Sequence, residues 1–201
     1  MLVLFIENLS FTMNIGLTWD LFIIAFFAII IAYSFIIGRN NTIKIILGTY
    51  VGALAADAAG NLFGSYFGNS SMFLSVLHEF SPASNPESSA AMFKVVTFIV
   101  IVIILAVRGG FTINTDLGKS TTARIIINGF FGFLSAGLMI SVVFMYVSGI
   151  SFITGSQTGG ITSITAQSPV IQHMIKYYNY WFLLPALTLI FGGIIAGHEE
   201  K

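Results

Sequence analysis

The sequence predicts an all-α fold: a polytopic transmembrane helical bundle of four to five spans with an N-terminal interfacial segment. Hydrophobic residues make up 56% of the 201 residues and charged residues only 8%, whereas roughly a quarter of a soluble domain is charged. So few charged residues cannot cover the surface of a soluble protein of this size. The chain has no cysteine and no net charge, which excludes disulfide and thiolate chemistry and gives no indication of nucleic-acid binding.

The apolar residues fall into segments of the length that a membrane requires. A helix needs about 20 mostly apolar residues to cross a hydrocarbon core about 30 Å thick. Four segments meet this requirement. A fifth lies near the lower limit and contains Pro185, so it is predicted to be a kinked span or a re-entrant element. In chain order the segments are residues 20–38, 43–66, 91–107, 124–149 and 180–197.

These segments divide the chain into three regions. Residues 1–18 begin with an apolar run that no basic residue precedes, which favours an interfacial segment over a cleaved signal peptide. Residues 19–150 form the four-span core. Residues 151–201 combine a loop rich in Thr, Ser and Gly, too polar to face lipid, with the kinked or re-entrant C-terminal helix.

The distribution of Lys and Arg predicts the orientation, because short cytoplasmic loops are enriched in these residues. With five spans, six of the eight cations fall on one side of the membrane, so the N-terminus is predicted to lie outside. Lys94, near the start of the third segment, is expected to extend its ammonium group to the interface. The six cations are Arg39, Lys44, Arg108, Lys119, Arg124 and Lys201.

Small residues mark the second and fourth segments as interior helices. In lipid, close approach of helix backbones over small residues is what drives packing. We expect the small-residue faces of these two helices to pack against each other, and a face between protomers is the alternative. The residues concerned are Gly48, Gly52, Ala56, Gly60 and Gly64 in the second segment and Gly129, Gly132 and Gly137 in the fourth.

A polar seam lies beside the first of these faces. Asp57 falls near the middle of the second segment, and Asn61 and Ser65 follow at four-residue steps on the same face of the helix. A carboxylate at this depth is costly and usually faces a bundle interior or a water-filled cavity. One interpretation is an ion or proton path through these three residues. The other is that Asp57 is protonated or hydrogen-bonded and fixes the register of the helix.

No other pattern predicts chemistry. The three histidines, His78, His173 and His198, lie in separate segments without metal-ligand spacing. Neither a phosphate-binding loop nor a nucleophile elbow occurs in the sequence. The sequence therefore predicts no catalytic residue, no cofactor and no metal site.

Residues 18–150 also carry a set of features that is typical of one family. Trp19 and Asp20 stand at the start of the first span, and Gly38-Arg39 forms a short basic turn. Arg124 precedes a last helix in which glycines recur. In these features the chain resembles the colicin V production protein family. The resemblance implies a bacterial inner-membrane protein connected with toxin biosynthesis, secretion and envelope maintenance, and it carries over no catalytic residues.

We therefore expect a non-enzymatic multi-pass protein of the bacterial cytoplasmic (inner) membrane that supports peptide-toxin export or envelope maintenance. Its expected partners are the lipid bilayer and either further copies of itself, as a homo-oligomer, or other membrane proteins of a larger assembly. One alternative is a small channel or transporter with a proton or ion path at Asp57. A second is a structural subunit of a membrane machine that docks through residues 154–167.

Overall fold

The described part of the chain is almost entirely α-helical. The structure, a computed structural model, describes residues 19–67, 75, 86–108, 121–153 and 168–198, so the predicted interfacial segment 1–18 and the loop 154–167 lie outside it. Four of its helices are long and apolar enough to cross a membrane, which confirms the predicted all-α transmembrane bundle. Six helices form within these residues: α1 (Trp19–Ile37), α2 (Arg39–Phe67), α3 (Pro86–Arg108), α4 (Thr121–Val147), α5 (Pro169–Lys176) and α6 (Tyr178–His198).

Two helix starts differ from the prediction. Helix α3 begins at Pro86, within a stretch expected to be loop, because the fixed φ of proline suits the first turn of a helix. Helix α5 was not predicted at all. Its start is nevertheless encoded locally, since the Ser168 side chain accepts a hydrogen bond from the Ile171 amide and Pro169 occupies the first turn.

A single residue connects α1 to α2. Gly38 has a φ of 77°, a left-handed conformation that glycine adopts without steric cost and that commonly ends helices. Its amide donates to the Ser34 carbonyl at 2.9 Å, and its own carbonyl accepts from the Thr42 amide at 3.1 Å. The chain therefore turns within one residue, and α1 and α2 run in opposite directions through the bundle.

Helices α2 and α4 lie at the centre of the bundle. In the most apolar stretch of each spanning helix, 56% is buried inside the protein in α2 and 72% in α4. The corresponding shares are 11% in α1 and 22% in α3. Because α1 and α3 are the more apolar helices, their exposed faces suit contact with lipid. This distribution agrees with the small-residue content of the second and fourth segments.

The partner of the small-residue face of α2 is α3, not α4 as expected. A Cβ placed on Gly48 would lie 3.3 Å from Leu105 Cβ, and one on Gly52 would lie 3.1 Å from Val102 Cγ2. A Cβ on Gly60 would overlap the Lys94 side chain. Bulky apolar side chains of α3 thus fill the spaces that glycine leaves on α2, which is the physical reason for the pairing.

The other members of the α2 set behave differently. Ala56 is fully buried in a cluster with Phe98 of α3 and with Val142 and Tyr146 of α4. No atom of the described residues lies within 4 Å of a Cβ placed on Gly64, so this position is not a close contact among the described helices.

The glycines of α4 contact α1 and α6. A Cβ on Gly129 would lie 3.2 Å from Phe35 Cζ, and one on Gly132 would overlap Ser34 Oγ and approach the Ile31 backbone to 3.2 Å. A Cβ on Gly137 would overlap the Trp181 ring of α6. The small residues of α4 therefore bring two different helices close to it.

Helix α6 is continuous through Pro185 and packs mainly against α4, with side-chain contacts to α2. Proline lacks an amide proton and its ring crowds the preceding turn, so nearby carbonyls need other donors. The Tyr50 hydroxyl of α2 supplies one, because it donates to the Phe182 carbonyl. Leu189, further along α6, packs against the cluster of Ile43 and Ile46. The helix has 21 residues, and its crossing of a membrane stays a prediction.

Candidate functional site

A buried ion pair joins α2 to α3. Asp57 is fully buried, and its Oδ1 atom lies 2.6 Å from Lys94 Nζ, whose side chain is 11% exposed. Both residues lie within candidate membrane spans. Charged side chains at such depths are rare and usually pair with one another, and they are the first place to look for function in a membrane protein.

The second oxygen of the Asp57 carboxylate holds the residues that follow α4. Asp57 Oδ2 accepts hydrogen bonds from Ser151 Oγ and from the Ile153 amide, each at 2.8 Å. The carboxylate therefore receives three donors from the protein, which is the environment that a buried charge requires.

Asn61 closes the network into a ring. Its side-chain oxygen accepts from Lys94 Nζ at 2.8 Å, and its side-chain nitrogen donates to Ser151 Oγ at 3.3 Å. Hydrogen bonds thus run from Asp57 to Lys94, to Asn61, to Ser151 and back to Asp57. A fully connected polar network of this kind holds its members in one arrangement, because each bond that breaks leaves a polar group unpaired in a low dielectric. We name this set the clasp: Asp57, Asn61, Lys94, Ser151 and the Ile153 amide.

The helices around the clasp are shaped to hold it. The absence of a side chain at Gly60 makes room for the methylene groups of Lys94, whose Cγ, Cδ and Cε atoms pass over that position. The Lys94 ammonium lies 5.9 Å from the centre of the Tyr146 ring, within the range of a cation–π contact. The Tyr146 hydroxyl in turn donates to the Ala53 carbonyl, which ties α4 to α2 beside the ion pair.

The predicted polar seam is present only in part. Asp57 and Asn61 belong to the clasp, whereas Ser65 is exposed and its hydroxyl donates to the Asn61 and Leu62 carbonyls of its own helix. Two four-residue steps along a helix drift round its axis, so Ser65 leaves the face that α3 covers.

The prediction that Lys94 extends to the interface is wrong. Because α3 begins at Pro86 rather than at residue 91, Lys94 lies two turns inside the helix instead of at its end. The sequence could have predicted the partner of Lys94 from charge alone. A single cation and a single carboxylate on neighbouring spans are each costly in the membrane unless they form an ion pair. Ser151 and the Ile153 amide carry no such signal in the sequence.

A second carboxylate sits at the same end of the bundle. Asp20, in the first turn of α1, accepts a hydrogen bond from the Ser168 hydroxyl. Ser168 also caps α5, so Asp20 fixes the start of α5 against α1. Further along the same two helices, Ile171 and Met174 of α5 are buried against Ile23 of α1.

The clasp offers no vacant ligand set. Every oxygen of the Asp57 carboxylate is engaged by a protein donor, and in the described part of the chain no three His, Cys, Asp or Glu residues come together as metal ligands would. The arrangement can hold charges in place and, if its bonds rearrange, exchange a proton between them.

The fold and the clasp together define a multi-pass membrane protein with an internal ion pair. Comparison of the chain with models of protein families, with curated proteins and with solved structures finds no match. The resemblance to colicin V production proteins therefore stays a prediction.

Proposed function

We propose that this chain is a non-enzymatic multi-pass protein of the bacterial cytoplasmic membrane that supports peptide-toxin export or envelope maintenance as part of a membrane assembly. The observation that carries this proposal is the closed ring of the clasp, in which the intramembrane charges are directed at one another. Groups that are already engaged in this way stabilise one packing of helices. They do not need a substrate to complete their hydrogen bonds.

The clasp gives such a protein a defined shape at one end. It joins α2 and α3 and also holds Ser151 and the Ile153 amide, so three parts of the chain are tied to one carboxylate. A bundle that acts through contacts with other proteins needs this rigidity, because a preorganised surface loses less entropy on association.

The proposed orientation places the clasp toward the outer face of the membrane and the turn at Gly38 toward the cytoplasm. It follows from the Lys and Arg residues at the Gly38 end of the described helices, since cytoplasmic ends are enriched in these residues. They are Arg39, Lys44, Arg108 and Arg124. The chain has no cysteine, so single cysteines can be introduced without background. We expect a membrane-impermeant maleimide to label Tyr66→Cys and not Thr122→Cys in intact cells, and the reverse pattern would invert the topology.

The assembly role is tested by isolating the protein from its native membrane in mild detergent after brief cross-linking. We expect it to come with further copies of itself or with other membrane proteins. The Lys94→Met variant, which opens the clasp, should lose these partners, whereas Lys176→Gln, an exposed cation on α5, should keep them. Recovery of a monomer alone from the wild-type protein would contradict the proposal.

A second candidate is proton or ion transport through the clasp. It is favoured by the ion pair itself, because two ionisable side chains in direct contact lie within the spans. The Lys94 side chain is also 11% exposed. The purified protein would be reconstituted in liposomes and proton and cation flux measured. Flux that Asp57→Asn abolishes and Asp20→Asn preserves would support transport, and equal flux in wild type and Asp57→Asn would exclude it.

A further inference from the structure

A short segment after α4 lies against the ion pair of the clasp. Helix α4 ends at Val147, whereas α2 continues for ten residues beyond Asp57 and α3 begins eight residues before Lys94. These stretches are rises of about 15 Å and about 12 Å. Beyond the ion pair, α2 and α3 thus continue without α4, and the chain that leaves α4 is bonded to Asp57 instead. We name this segment the strap: residues 149–153.

Backbone hydrogen bonds fix the start of the strap. The Gly149 amide donates to the Tyr146 carbonyl at 3.0 Å, and the Ile150 amide donates to the Met145 carbonyl at 2.9 Å. Gly149 has a φ of 75°, the left-handed conformation in which many helices end. Because glycine adopts positive and negative φ at little steric cost, Gly149 is the residue about which the strap can turn.

The middle of the strap rests on aromatic side chains. The Phe152 ring lies 6.0 Å from the Tyr146 ring of α4 and 4.8 Å from the Phe182 ring of α6. Phe152 itself is only partly buried. On either side of it, Ser151 is buried and Ile153 is 54% exposed. The strap therefore has an inner side that faces the bundle and an outer side that does not.

The inner side of the strap covers one oxygen of the ion pair. Lys94 Nζ donates to Asp57 Oδ1, whereas Asp57 Oδ2 accepts from Ser151 Oγ and from the Ile153 amide. A buried carboxylate needs such donors, because it has lost the water that would otherwise solvate it. Helices α2 and α3 thus supply the two charges, and the strap supplies the groups that replace water at the second oxygen.

We infer that the strap is a lid over the Asp57–Lys94 ion pair. In the closed position it excludes water from Asp57 Oδ2, and when it turns about Gly149, water and small solutes reach the pair from the end of the bundle at which α4 stops. Short segments held by few buried side chains open locally far more often than the whole protein unfolds. The lid goes beyond the proposed function, since it depends only on the contacts of the strap with the helices.

Two measurements on the full-length protein in mild detergent test the lid. Hydrogen exchange followed by mass spectrometry reports the opening of the strap through the amides of residues 149–153. A water-soluble carbodiimide with an amine nucleophile, followed by peptide mapping, reports access of a small solute to the Asp57 carboxylate. Asp20, whose carboxylate bonds to Ser168 and not to the strap, is the reference carboxylate in the same sample.

The decisive variant is Phe152→Ala, because it loosens the strap and leaves the donors to Asp57 in place. We expect strap exchange and the modification of Asp57 each to become about tenfold faster, with the modification of Asp20 unchanged. Ser151→Ala removes one donor to the carboxylate and should have an effect of similar size. The matched control is Phe191→Ala, which removes an exposed ring from α6 and should change neither rate.

Three results would overturn the inference. Faster strap exchange in Phe152→Ala with unchanged modification of Asp57 would show that the strap does not control access to the pair. Unchanged exchange and modification in both strap variants would show that the strap does not open. Equal acceleration in Phe191→Ala or at Asp20 would show a general loosening of the bundle. Slow exchange in residues 45–55 of α2 identifies the variants that remain folded, and either strap variant alone gives the decision.

Discussion

Two helix pairs in this bundle pack closely over small residues, and only one of them encloses an ion pair between its helices. The α2–α3 pair meets over Gly48, Gly52 and Gly60 and encloses the Asp57–Lys94 ion pair. The α1–α4 pair meets over Gly129 and Gly132, and its main polar contact is a hydrogen bond of 3.1 Å from Ser34 Oγ to the Asn128 carbonyl. Close packing of two helices in this bundle therefore does not require an ion pair between them.

Removal of one partner of the ion pair should have the largest effect. The Lys94→Met variant leaves the Asp57 carboxylate buried without its cation, and we expect the free energy of unfolding to fall by about 3 kcal/mol. Unfolding of the purified protein, titrated with a denaturing detergent, measures the change. The double variant Asp57→Asn/Lys94→Met should recover part of the loss, because the neutral amide removes the unpaired charge while its oxygen still accepts from Ser151 and the Ile153 amide.

If the double variant is no more stable than Lys94→Met, the charge pair is not the reason for the loss. The methylene groups of Lys94 that pass over Gly60 would then be the important part. That outcome would remove the distinction between the α2–α3 and α1–α4 pairs.

Added bulk at the close contacts should have an intermediate effect that differs between the pairs. In Gly132→Ala the new methyl group meets Ser34 and the Ile31 backbone, which cannot move aside, so we expect a loss of about 2 kcal/mol. In Gly60→Ala the atoms nearest to it are the methylene groups of the flexible Lys94 side chain, and we expect a smaller loss, about 1 kcal/mol, measured in the same titration.

Gly64→Ala is the matched control for these two variants. Among the described residues nothing lies within 4 Å of a Cβ at this position, and alanine favours helix over glycine by about 1 kcal/mol, so the variant should equal or exceed the wild type in stability. A loss at Gly64 similar to that at Gly132 would show that this face is covered by a neighbour, such as a second copy of the chain.

The Ser34→Ala variant should have the smallest effect. It removes the hydrogen bond from Ser34 Oγ to the Asn128 carbonyl, and such bonds between membrane helices contribute about 0.6 kcal/mol. The same unfolding titration measures it, with Thr188→Ala as a control because the Thr188 hydroxyl bonds only within its own helix, to the Leu184 carbonyl. A loss much above 1 kcal/mol would make the α1–α4 pair as dependent on polar contacts as the α2–α3 pair.

The fold was accessible from the sequence because its strongest signals are local. Apolar runs of spanning length and the absence of surface charge predicted the four spanning helices, and the small residues predicted which helices are central. The pairing of those helices was not accessible. A glycine in a spanning helix indicates that another helix packs closely against it. Its position in the sequence does not show whether Leu105 or a residue of α4 fills the space.

The site was predictable to the same limited extent. Asp57 and Asn61 were found because a carboxylate within a span is conspicuous and the four-residue step is a local feature. Lys94, 37 residues along the chain, was missed because a five-residue error in the start of α3 made it a terminal residue. Ser151 and the Ile153 amide depend on how the chain leaves α4, which only the three-dimensional fold determines.

The single-residue turn at Gly38 also has a consequence for how the protein is made. Helix α2 contains an internal carboxylate and is less apolar than α1, so it partitions into lipid less favourably by itself than α1 does. Because one glycine joins them, we expect the two helices to enter the bilayer together. The Asp57–Lys94 ion pair can then form only when α3 packs against α2.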